Sequence, residues 1–432
     1  MRKRSDQRPV QGASSIAVFH GAWRGRKVAK GAAIFADFIA WYFDAMGMGE
    51  KHAENYRSDD HPSSFSLFFS VPTFAADTKY NTEPIHSVSP SKKWRIGYLQ
   101  GGDYIDYKRT LLATVKGLAD LGWMPAIDTD MLETLSVQEI WTWLAHHANS
   151  DYIDFVGDGF YCENWDSARR TSIVKDIIER LQRSGDIDLI MAMGTWAGQD
   201  LSTAPVDTPV IVMTASDPLA AGIIQSVTES GRKNLHVYID PTLIERQLRL
   251  FHEIIRFKKL GLIYEDTAAG RSYAGVAIAE KLSSELGFNI VSCIALSDIP
   301  DIGQSEQEYL QCIHNISLNI DAFFTTVHSG VNEKTIPMIA EQLNRLRTPT
   351  FSQSGAEEVE KGILMSLSRN TFKGLGKFEA MTIAKVFNGA NPGDLVQVFE
   401  EPLSISLNLE TAKSIGYIPS ADIIAATDIF FP

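Results

Sequence analysis

The stretch DLIMAMGTWAGQDL, residues 188–201, decides the fold class of this 432-residue chain. Its first part, Asp188 to Met193, is a continuous apolar run without alternating polar residues, which is typical of a strand buried on both faces. Such strands belong to parallel sheets that are covered by helices. The run therefore predicts an α/β protein, and it places Gly194, Thr195 and Trp196 in the loop after the strand.

The same alternation of apolar runs and amphipathic stretches extends from Trp94 to the end of the chain. The predicted strands include 95–99, 209–215, 260–264, 289–294, 321–327 and 350–352. Ser136 with Glu139, and Thr242 with Glu245, have the spacing of helix capping boxes. These βα units are too many for one open sheet, so we expect two doubly wound lobes.

Composition restricts the kinds of partner that the chain can have. A formal net charge of −13, with 44% hydrophobic and 22% charged residues, is typical of an ordinary globular protein. It argues against a general affinity for nucleic acid or anionic membranes, because both need clustered Lys and Arg. No apolar run reaches the roughly 18 to 20 residues of a membrane-spanning helix. We therefore expect no nucleic-acid partner and no stable membrane insertion of the mature protein.

The three cysteines, Cys162, Cys293 and Cys312, are too few for a disulfide framework and lack the spacing of metal ligands. We expect them to be small core residues. A bridge between Cys293 and Cys312 is the less favoured alternative, and it would require an oxidising compartment.

The first ninety residues differ from the rest of the chain. Residues 1–30 contain eight Lys and Arg against the single acid Asp6, and 63–77 (SSFSLFFSVPTFAAD) have the pattern of a secretory h-region and cleavage site. This pattern predicts an atypical leader, export segment and linker over 1–92, and a periplasmic protein. Either translation starts downstream, at Met46 or Met48, or residues 1–46 act together as an unusual export segment. The alternative is a disordered extension of a cytoplasmic protein.

Candidate binding residues lie in the loops that follow the predicted strands, because ligands of open α/β sheets bind outside the carboxyl ends of the strands. These residues are Gln100, Tyr104, Thr195, Trp196, Ser216, Asp217, Glu265, His328, Ser329, Ser352 and Ser354. Helix N-termini after strands can hold an anion, whereas Asp217 and Glu265 can hold an ammonium group. Tyr104, Tyr107 and Trp196 can cover a ring. Each residue alone fits a turn or a cap, but the group favours ligand binding.

No catalytic set accompanies these loops. The stretch at Ser272 lacks the final glycine of a nucleophile elbow, and Gly376-Lys377 is followed by Phe378, where a phosphate loop needs Ser or Thr. Gly101-Gly102 lacks the spacing of a dinucleotide site. The sequence thus predicts a protein that is not an enzyme and that has no cofactor and no metal.

Several strings of the chain resemble one known family in the same order. DLIMAMGTWAGQDL, TPVIVMTASDPLAAGII and DAFFTTVHSGVNE are similar to segments of ABC transporter substrate-binding proteins, whose members include tryptophan- and tyrosine-binding receptors. The resemblance covers about Trp94 to Ile424. It implies a periplasmic-binding-protein type I fold, with two Rossmann-like lobes and parallel sheets joined by crossover strands. We expect the first lobe over 93–218 plus 356–395 and the second over 219–355 plus 396–432.

The resemblance also implies a role for particular residues. Gln100, Thr195, Trp196, Ser216 and Asp217 would face the ligand from the first lobe, and His328, Ser329, Ser352 and Ser354 would face it from the second. Where many relatives have Asp-Asn-Thr, this chain has His328-Ser329-Gly330, and the loss of that acid argues against an amino-acid ligand.

The implied function is that of an extracytoplasmic solute-binding receptor of an ABC importer. It would bind a small polar ligand, aromatic or amino-acid-like in part, by hinge closure between the lobes. Its partners would be the permease and ATPase subunits. The alternative is a ligand-sensing receptor domain that signals to a partner protein.

Overall fold

The computed structural model describes residues 27–28, 41–42, 79–89, 92–369 and 371–432, which form two α/β lobes, each built on its own sheet. The first sheet has five strands, β2 to β6, at Trp94–Gln100, Ile153–Cys162, Leu189–Met193, Val210–Met213 and Leu235–Val237. Their order is β3-β2-β4-β5-β6 and all neighbours are parallel. The helices that cover this sheet are α1 Ile105–Asp120, α2 Val137–His147, α3 Ser167–Arg183 and α4 Gly194–Ser202.

Strand β4 shows why the first lobe forms. All five of its residues are buried, and their side chains alternate between two cores. Ile190 and Ala192 join the core on one face, whereas Leu189, Met191 and Met193 join the core on the other. The prediction of a strand buried on both faces is therefore confirmed.

The second sheet has eight strands in the order β1-β13-β12-β11-β10-β9-β7-β8. They are β1 Lys27–Val28, β7 Lys259–Tyr264, β8 Asn289–Ile294, β9 Ala322–Thr325, β10 Thr350–Ser352, β11 Met365–Ser368, β12 Ser404–Asn408 and β13 Thr427–Phe431. Only the β11–β12 pair is antiparallel among these described strands. The helices that follow β6 along the chain are α5 Leu243–Ile255, α6 Ala268–Tyr273, α7 Val276–Leu286, α8 Ile302–Ile316, α9 Ile336–Arg345, α10 Ala356–Glu360, α11 Lys373–Phe387, α12 Leu409–Ile415 and α13 Ala421–Ala426; all but α11 belong to the second lobe.

Helix α11 returns to the first lobe, where it packs on α1. The chain therefore passes between the lobes after β6, after β11 and again before β12. Two of these connections lie side by side, because Ile239 and Val398 form a parallel bridge and Phe399 N–H donates to Ile239 O at 3.1 Å. The third is joined to them by Arg369, which donates to Tyr238 Oη at 2.9 Å.

The expected lobe boundaries need correction at two strands. Leu235–Val237 pairs with Val210–Val212 in the first sheet, so the first lobe continues beyond residue 218. Strand β11 pairs with β10 in the second sheet, so the return to the first lobe follows Ser368 and not residue 355. The physical reason is burial, since Leu235, Val237 and Met365 are core residues of the sheets they join.

The end of the expected linker is part of the folded protein. Trp94 Nε1 donates to Ile85 O at 2.9 Å, and Trp123 Nε1 donates to Thr82 O at 2.9 Å. Nearer the start, Tyr42 is buried in the core of the second lobe. These described residues therefore pack on the two lobes, while the leader, export segment and linker expected over 1–92 stay a prediction. The predicted cleavage site near 73–76 and the candidate start sites lie outside the described residues.

Cys293 and Cys312 form a disulfide, with 5.6 Å between their Cα atoms. The expectation of unpaired core cysteines is thus wrong for this pair, because β8 and α8 pack against each other and bring the two residues together. Cys162 is the free cysteine. The bridge closes a loop that carries the whole connection between β8 and α8.

Loss of this disulfide should destabilise the protein. The Cys293→Ala/Cys312→Ala double variant is expected to lose about 3 kcal/mol of unfolding free energy, because a bridge over a loop of this length restricts the unfolded chain. Urea unfolding of both proteins checks the value. A reductant should lower the stability of the wild type and leave that of the double variant unchanged. Three free thiols in the unreduced, denatured wild type would contradict the pairing.

Candidate functional site

A cavity lies between the two lobes, at the carboxyl ends of their strands. The register places Gln100, Met193 and Met213 in line across the first sheet, so the loops after β2, β4 and β5 meet at one edge. The cavity is lined by Tyr104, Tyr107, Trp165, Thr195, Trp196, Thr214, Ser216, Tyr273, Ser297, Asp298, Val327, His328 and Ser329. It encloses about 40 Å³, room for about three water molecules, because aromatic rings fill most of the space.

Left-handed backbone aims Trp165 into the cavity. Asn164 and Trp165 follow β3 with φ of 56° and 54°, values that residues other than glycine rarely adopt. The amide N–H of Trp165 donates to Gly101 O at 2.7 Å, and the indole lies on Gly101 and Gly102. A Cβ on Gly102 would lie 2.2 Å from Trp165 Nε1. The glycine pair therefore provides the flat surface on which this indole rests.

Gly194 is required in the same way at the start of α4. It has a φ of 81°, and a Cβ there would lie 1.8 Å from Tyr107 Oη. The phenol of Tyr107 thus lies directly against the first residue of the helix. Burial raises the pKa of Tyr107 far above its ordinary value, so this side chain is a neutral hydroxyl at any physiological pH.

Trp196 is held in place from behind. The guanidinium of Arg170 lies 4.4 Å from its ring centroid, and the edge of Trp165 meets it at 5.5 Å. Arg170 also forms an ion pair of 2.7 Å with Asp200. Beside this pair, burial and then Asp200 raise the pKa of Glu163 to about 9, so Glu163 is protonated at neutral pH. The positive charge of Arg170 is thus balanced by one carboxylate on the side of Trp196 away from the cavity.

The second lobe contributes an acid that lies between β8 and α8. Asp298 Oδ1 accepts a hydrogen bond of 3.2 Å from Ser297 Oγ, whereas Oδ2 has no hydrogen-bond partner among the described residues. Burial, followed by the charge of Glu265, raises the pKa of Asp298 to about 7, although the nearby Tyr273, Ser297 and Trp196 oppose the shift. The cavity therefore contains a carboxylate that ionises near neutral pH.

His328 presents its ring to the cavity but has no free nitrogen. Its Nδ1 accepts from Gly330 N–H at 2.9 Å, and its Nε2 lies 3.2 Å from Ala295 O, to which it donates in this tautomer. Burial lowers the pKa of His328 to about 4, so the ring is neutral at physiological pH. The imidazole thus acts as a wall of the cavity.

The structure brings six of the predicted site residues to the cavity: Tyr104, Thr195, Trp196, Ser216, His328 and Ser329. The remaining predicted residues, Gln100, Asp217, Glu265, Ser352 and Ser354, do not line it. Gln100 is fully buried, and its amide bonds to Tyr98 and Asp103. Asp217 Oδ1 accepts from Ala220 N–H at 2.9 Å, which fixes the turn that follows it; the helix that the sequence suggested there does not form.

The other three residues lie outside the cavity wall, although Ser354 lies next to Tyr104, which lines the cavity. Glu265 lies behind Asp298 and accepts a hydrogen bond from Thr267 Oγ1 at 3.4 Å. Ser352 Oγ accepts from Gly355 N–H at 2.8 Å, which fixes the turn after β10. Ser354 is exposed.

Sequence reasoning did not select the lining residues Trp165, Thr214, Tyr273, Ser297, Asp298 and Val327. For Ser297 and Asp298 the signal was present, because 289–294 is a predicted strand and the rule about carboxyl ends applies to the loop after it. Trp165 and Thr214 depend on left-handed backbone at non-glycine residues, which no pattern in the sequence indicates. Tyr273 ends α6 and reaches the cavity from a helix, not from a strand.

Two doubly wound lobes, three connections and a cavity between them define a bilobed solute-binding protein of the periplasmic-binding-protein type I class. The family model described as ABC transporter substrate binding protein matches residues 160–428. The chain therefore belongs to the ABC transporter substrate-binding protein family, as the resemblance of its sequence implied.

One curated relative is a tyrosine-binding protein of Clostridioides difficile (strain R20291). It is 24% identical over 230 residues, which make up 53% of this chain. The match spans 63% of the relative's length.

Solved structures share the fold. A conserved domain protein of Vibrio cholerae O1 biovar El Tor has a TM-score of 0.58 at 17% identity, covering 78% of this chain and 100% of its own. The ABC domain of a Streptococcus pneumoniae protein, in complex with L-Trp, has a TM-score of 0.56 at 18% identity with the same coverage. The open, ligand-free substrate-binding protein of Clostridium difficile has a TM-score of 0.53 at 21% identity, covering 78% of this chain and 99% of its own.

Two features are absent from the described residues. None of their helices combines the length and the apolar character needed to cross a bilayer. They also contain no group of three or more His, Cys, Asp or Glu that could hold a metal ion.

Proposed function

We propose that this protein is an extracytoplasmic receptor of an ABC importer, which binds one small polar ligand between its lobes and has no catalytic activity. The observation that carries the proposal is the cavity, because both lobes supply its walls: Tyr107, Thr195 and Trp196 from one side, and Tyr273 and Asp298 from the other. A ligand that contacts both walls favours the state in which the lobes are closed.

Hinge closure is the proposed mechanism. The connections at 238–242, 369–372 and 396–403 are short, and a rotation about them separates the walls of the cavity so that a ligand can enter. On closure, Arg109 of α1 forms an ion pair with Glu357 of α10, one residue from each lobe. Because this pair is largely exposed, we expect it to contribute little beside the ligand itself.

The proposed location is the periplasm. Family membership supports a location outside the cytoplasm, and so does the disulfide, because such bridges persist in oxidising compartments. The proposed partners are the permease and ATPase subunits of the importer, which would recognise the closed state. One relative named above is a tyrosine-binding protein, and one of the solved structures is a complex with L-Trp, which supports a ligand with an aromatic part.

Ligand capture tests this proposal. Native mass spectrometry of the purified protein should reveal a carried small molecule, and a thermal-shift screen of amino acids, amines and organic acids should raise the unfolding midpoint. A ligand at 100 times its Kd stabilises by about 2.7 kcal/mol. Small-angle scattering should show a smaller radius of gyration when the ligand is added.

A matched pair of variants localises the effect. Ser329→Trp fills the cavity and should abolish the ligand-induced shift, whereas Ser284→Trp, on the exposed face of α7, should keep it. An equal shift in both variants would place the ligand elsewhere. Turnover of the ligand by the wild type would show an enzyme instead of a receptor.

A further inference from the structure

The side chains that line the cavity carry negative charge and no positive charge. Among its lining residues, Asp298 is the acid, and none is Arg or Lys. His328 is neutral, as shown by its two backbone contacts. Glu265 lies just behind Asp298 and adds a second negative charge to the same end of the cavity. A bound molecule therefore meets a negative field from the side chains around it.

Arg170 does not offset this field. Its guanidinium stacks on the ring of Trp196 and is paired with Asp200, and it is not among the lining residues. A ligand carboxylate would find hydroxyl groups and backbone here, but no cationic side chain among the lining residues. It would also lie within a short distance of Asp298.

Polar atoms without partners surround Asp298. Asp298 Oδ2, Tyr273 Oη and Thr214 Oγ1 are out of solvent and lack a well-directed hydrogen bond among the described residues, although Tyr273 and Trp196 lie near enough to Asp298 to lower its pKa. All three can accept a hydrogen bond, and a primary ammonium supplies three N–H donors. A buried polar atom without a hydrogen bond costs folding free energy. Such atoms are therefore expected where a ligand supplies the missing hydrogen bonds.

Aromatic faces complete this environment. Five rings line the cavity: Tyr104, Tyr107, Trp165, Trp196 and Tyr273. An aromatic ring attracts a cation that approaches its face, and the attraction is stronger when the cation is desolvated. The same rings can also cover an apolar portion of the ligand.

We propose, on the basis of the receptor function above, that the ligand is an organic amine bound as a cation, with its ammonium group at Asp298 and its apolar part against the rings of Trp165 and Trp196. An α-carboxylate is not required for recognition. Asp298 approaches the cavity from the loop after β8.

Isothermal titration with matched probes tests the inference. Tryptamine and tryptophan differ only in the carboxylate, as do tyramine and tyrosine, and indole-3-propionate has the carboxylate without the amine. At pH 8 each amine is expected to bind at least tenfold more tightly than its amino acid, with no binding of the propionate. Tryptophan binding as tightly as tryptamine would overturn the inference, and so would the absence of binding by both amines.

Two variants test the role of Asp298. Asp298→Asn is expected to weaken binding of the tighter amine by roughly 30-fold or more, because the ammonium loses a buried charged partner. Asp301→Asn is the control, since it removes the same charge from the same loop, is exposed, and keeps a side chain that can cap α8. Its affinity should stay within twofold of the wild type. Equal amine affinity in Asp298→Asn and wild type would overturn the assignment.

Folding of the Asp298→Asn variant is checked independently. A buried carboxylate with a raised pKa destabilises the folded state above that pKa, so the variant should unfold at the same temperature as the wild type or higher at pH 8. Failure of the receptor function itself looks different, because then no molecule is carried and no class of compound in the thermal-shift screen stabilises the wild type. Stabilisation by acids or zwitterions alone would overturn the amine inference and leave the receptor function standing.

Discussion

The Gly376→Val variant is expected to lose about 3 kcal/mol or more of unfolding free energy, and the first lobe should lose its cooperative packing on α11. A Cβ at residue 376 would lie 2.3 Å from the carbonyl carbon of Ala113, and this atom belongs to the backbone of α1, which cannot move aside alone. On the facing helix, a Cβ at Gly117 would lie 2.7 Å from Gly376 O. The two helices therefore touch through glycines, and circular dichroism with urea unfolding measures the loss.

The neighbouring residue gives a control for this variant. Lys377→Val places the same β-branched side chain on the exposed face of the same helix, where the cost is a few tenths of a kcal/mol of helix propensity. Equal stability of the two valine variants would show that the contact between α1 and α11 is looser than described. The sequence around Gly376 is not a phosphate loop, so close packing of the two helices is the reason for this glycine. The same result would remove that reason.

The sequence predicted the strands whose residues are buried on both faces, because a long apolar run leaves few alternatives. It did not predict Leu235–Val237, a three-residue strand whose centre is His236. This imidazole is tolerated because its Nε2 contacts Val396 O at 3.0 Å, from a segment distant in the chain. Burial also lowers its pKa to about 4, so it enters the core without charge.

Of the two capping-box patterns in the sequence, only the one whose glutamate has no competing ion pair among the described residues forms a capping box. Ser136 and Glu139 form the predicted capping box, with both reciprocal hydrogen bonds present. Thr242 and Glu245 have the same spacing but form no capping box, because Glu245 instead forms ion pairs with Arg249 and Lys281. An ion pair within the same helix and a tertiary ion pair with α7 thus override a pattern that the sequence presents equally well at both helices.

The candidate site shows the same division between local and distant information. Loops after strands were predicted correctly as a class, since the register of a parallel sheet brings their ends to one edge. Which side chain of a loop faces the cavity depends on distances that the sequence does not contain. Glu265 and Asp298 are both acids after strands of the second sheet, but only the second lines the cavity.

Affinity for a cationic amine is expected to fall as the pH is lowered. Asp298 has a pKa of about 7 in the ligand-free protein, and the amine binds its ionised form. Below this pKa a proton must leave Asp298 before the amine can bind. The affinity therefore falls about tenfold for each pH unit. Between pH 8 and pH 5.5 the Kd should therefore rise about 30-fold, as measured by titration calorimetry with tryptamine.

Three titratable groups that face Asp298 stay neutral between pH 5.5 and pH 8. Tyr107 and Tyr273 have pKa values raised by burial and remain neutral hydroxyls, whereas His328, with a pKa of about 4, remains a neutral ring. The remaining charged neighbour is Glu265, whose negative charge is one cause of the raised pKa of Asp298. The pH dependence should therefore report mainly the ionisation of Asp298.

The Asp298→Asn variant separates this effect from a change in folding. Its amine affinity should be weak and nearly independent of pH, because an amide does not ionise in this range. Protonation of Asp298 stabilises the folded wild type, since its folded pKa lies above the ordinary value of 3.8, and that contribution is lost as the pH rises through about 7. The stability advantage of the variant should thus be present at pH 8 and vanish near pH 4. A wild-type affinity for the amine that stays constant or increases towards acid pH would refute the role of Asp298.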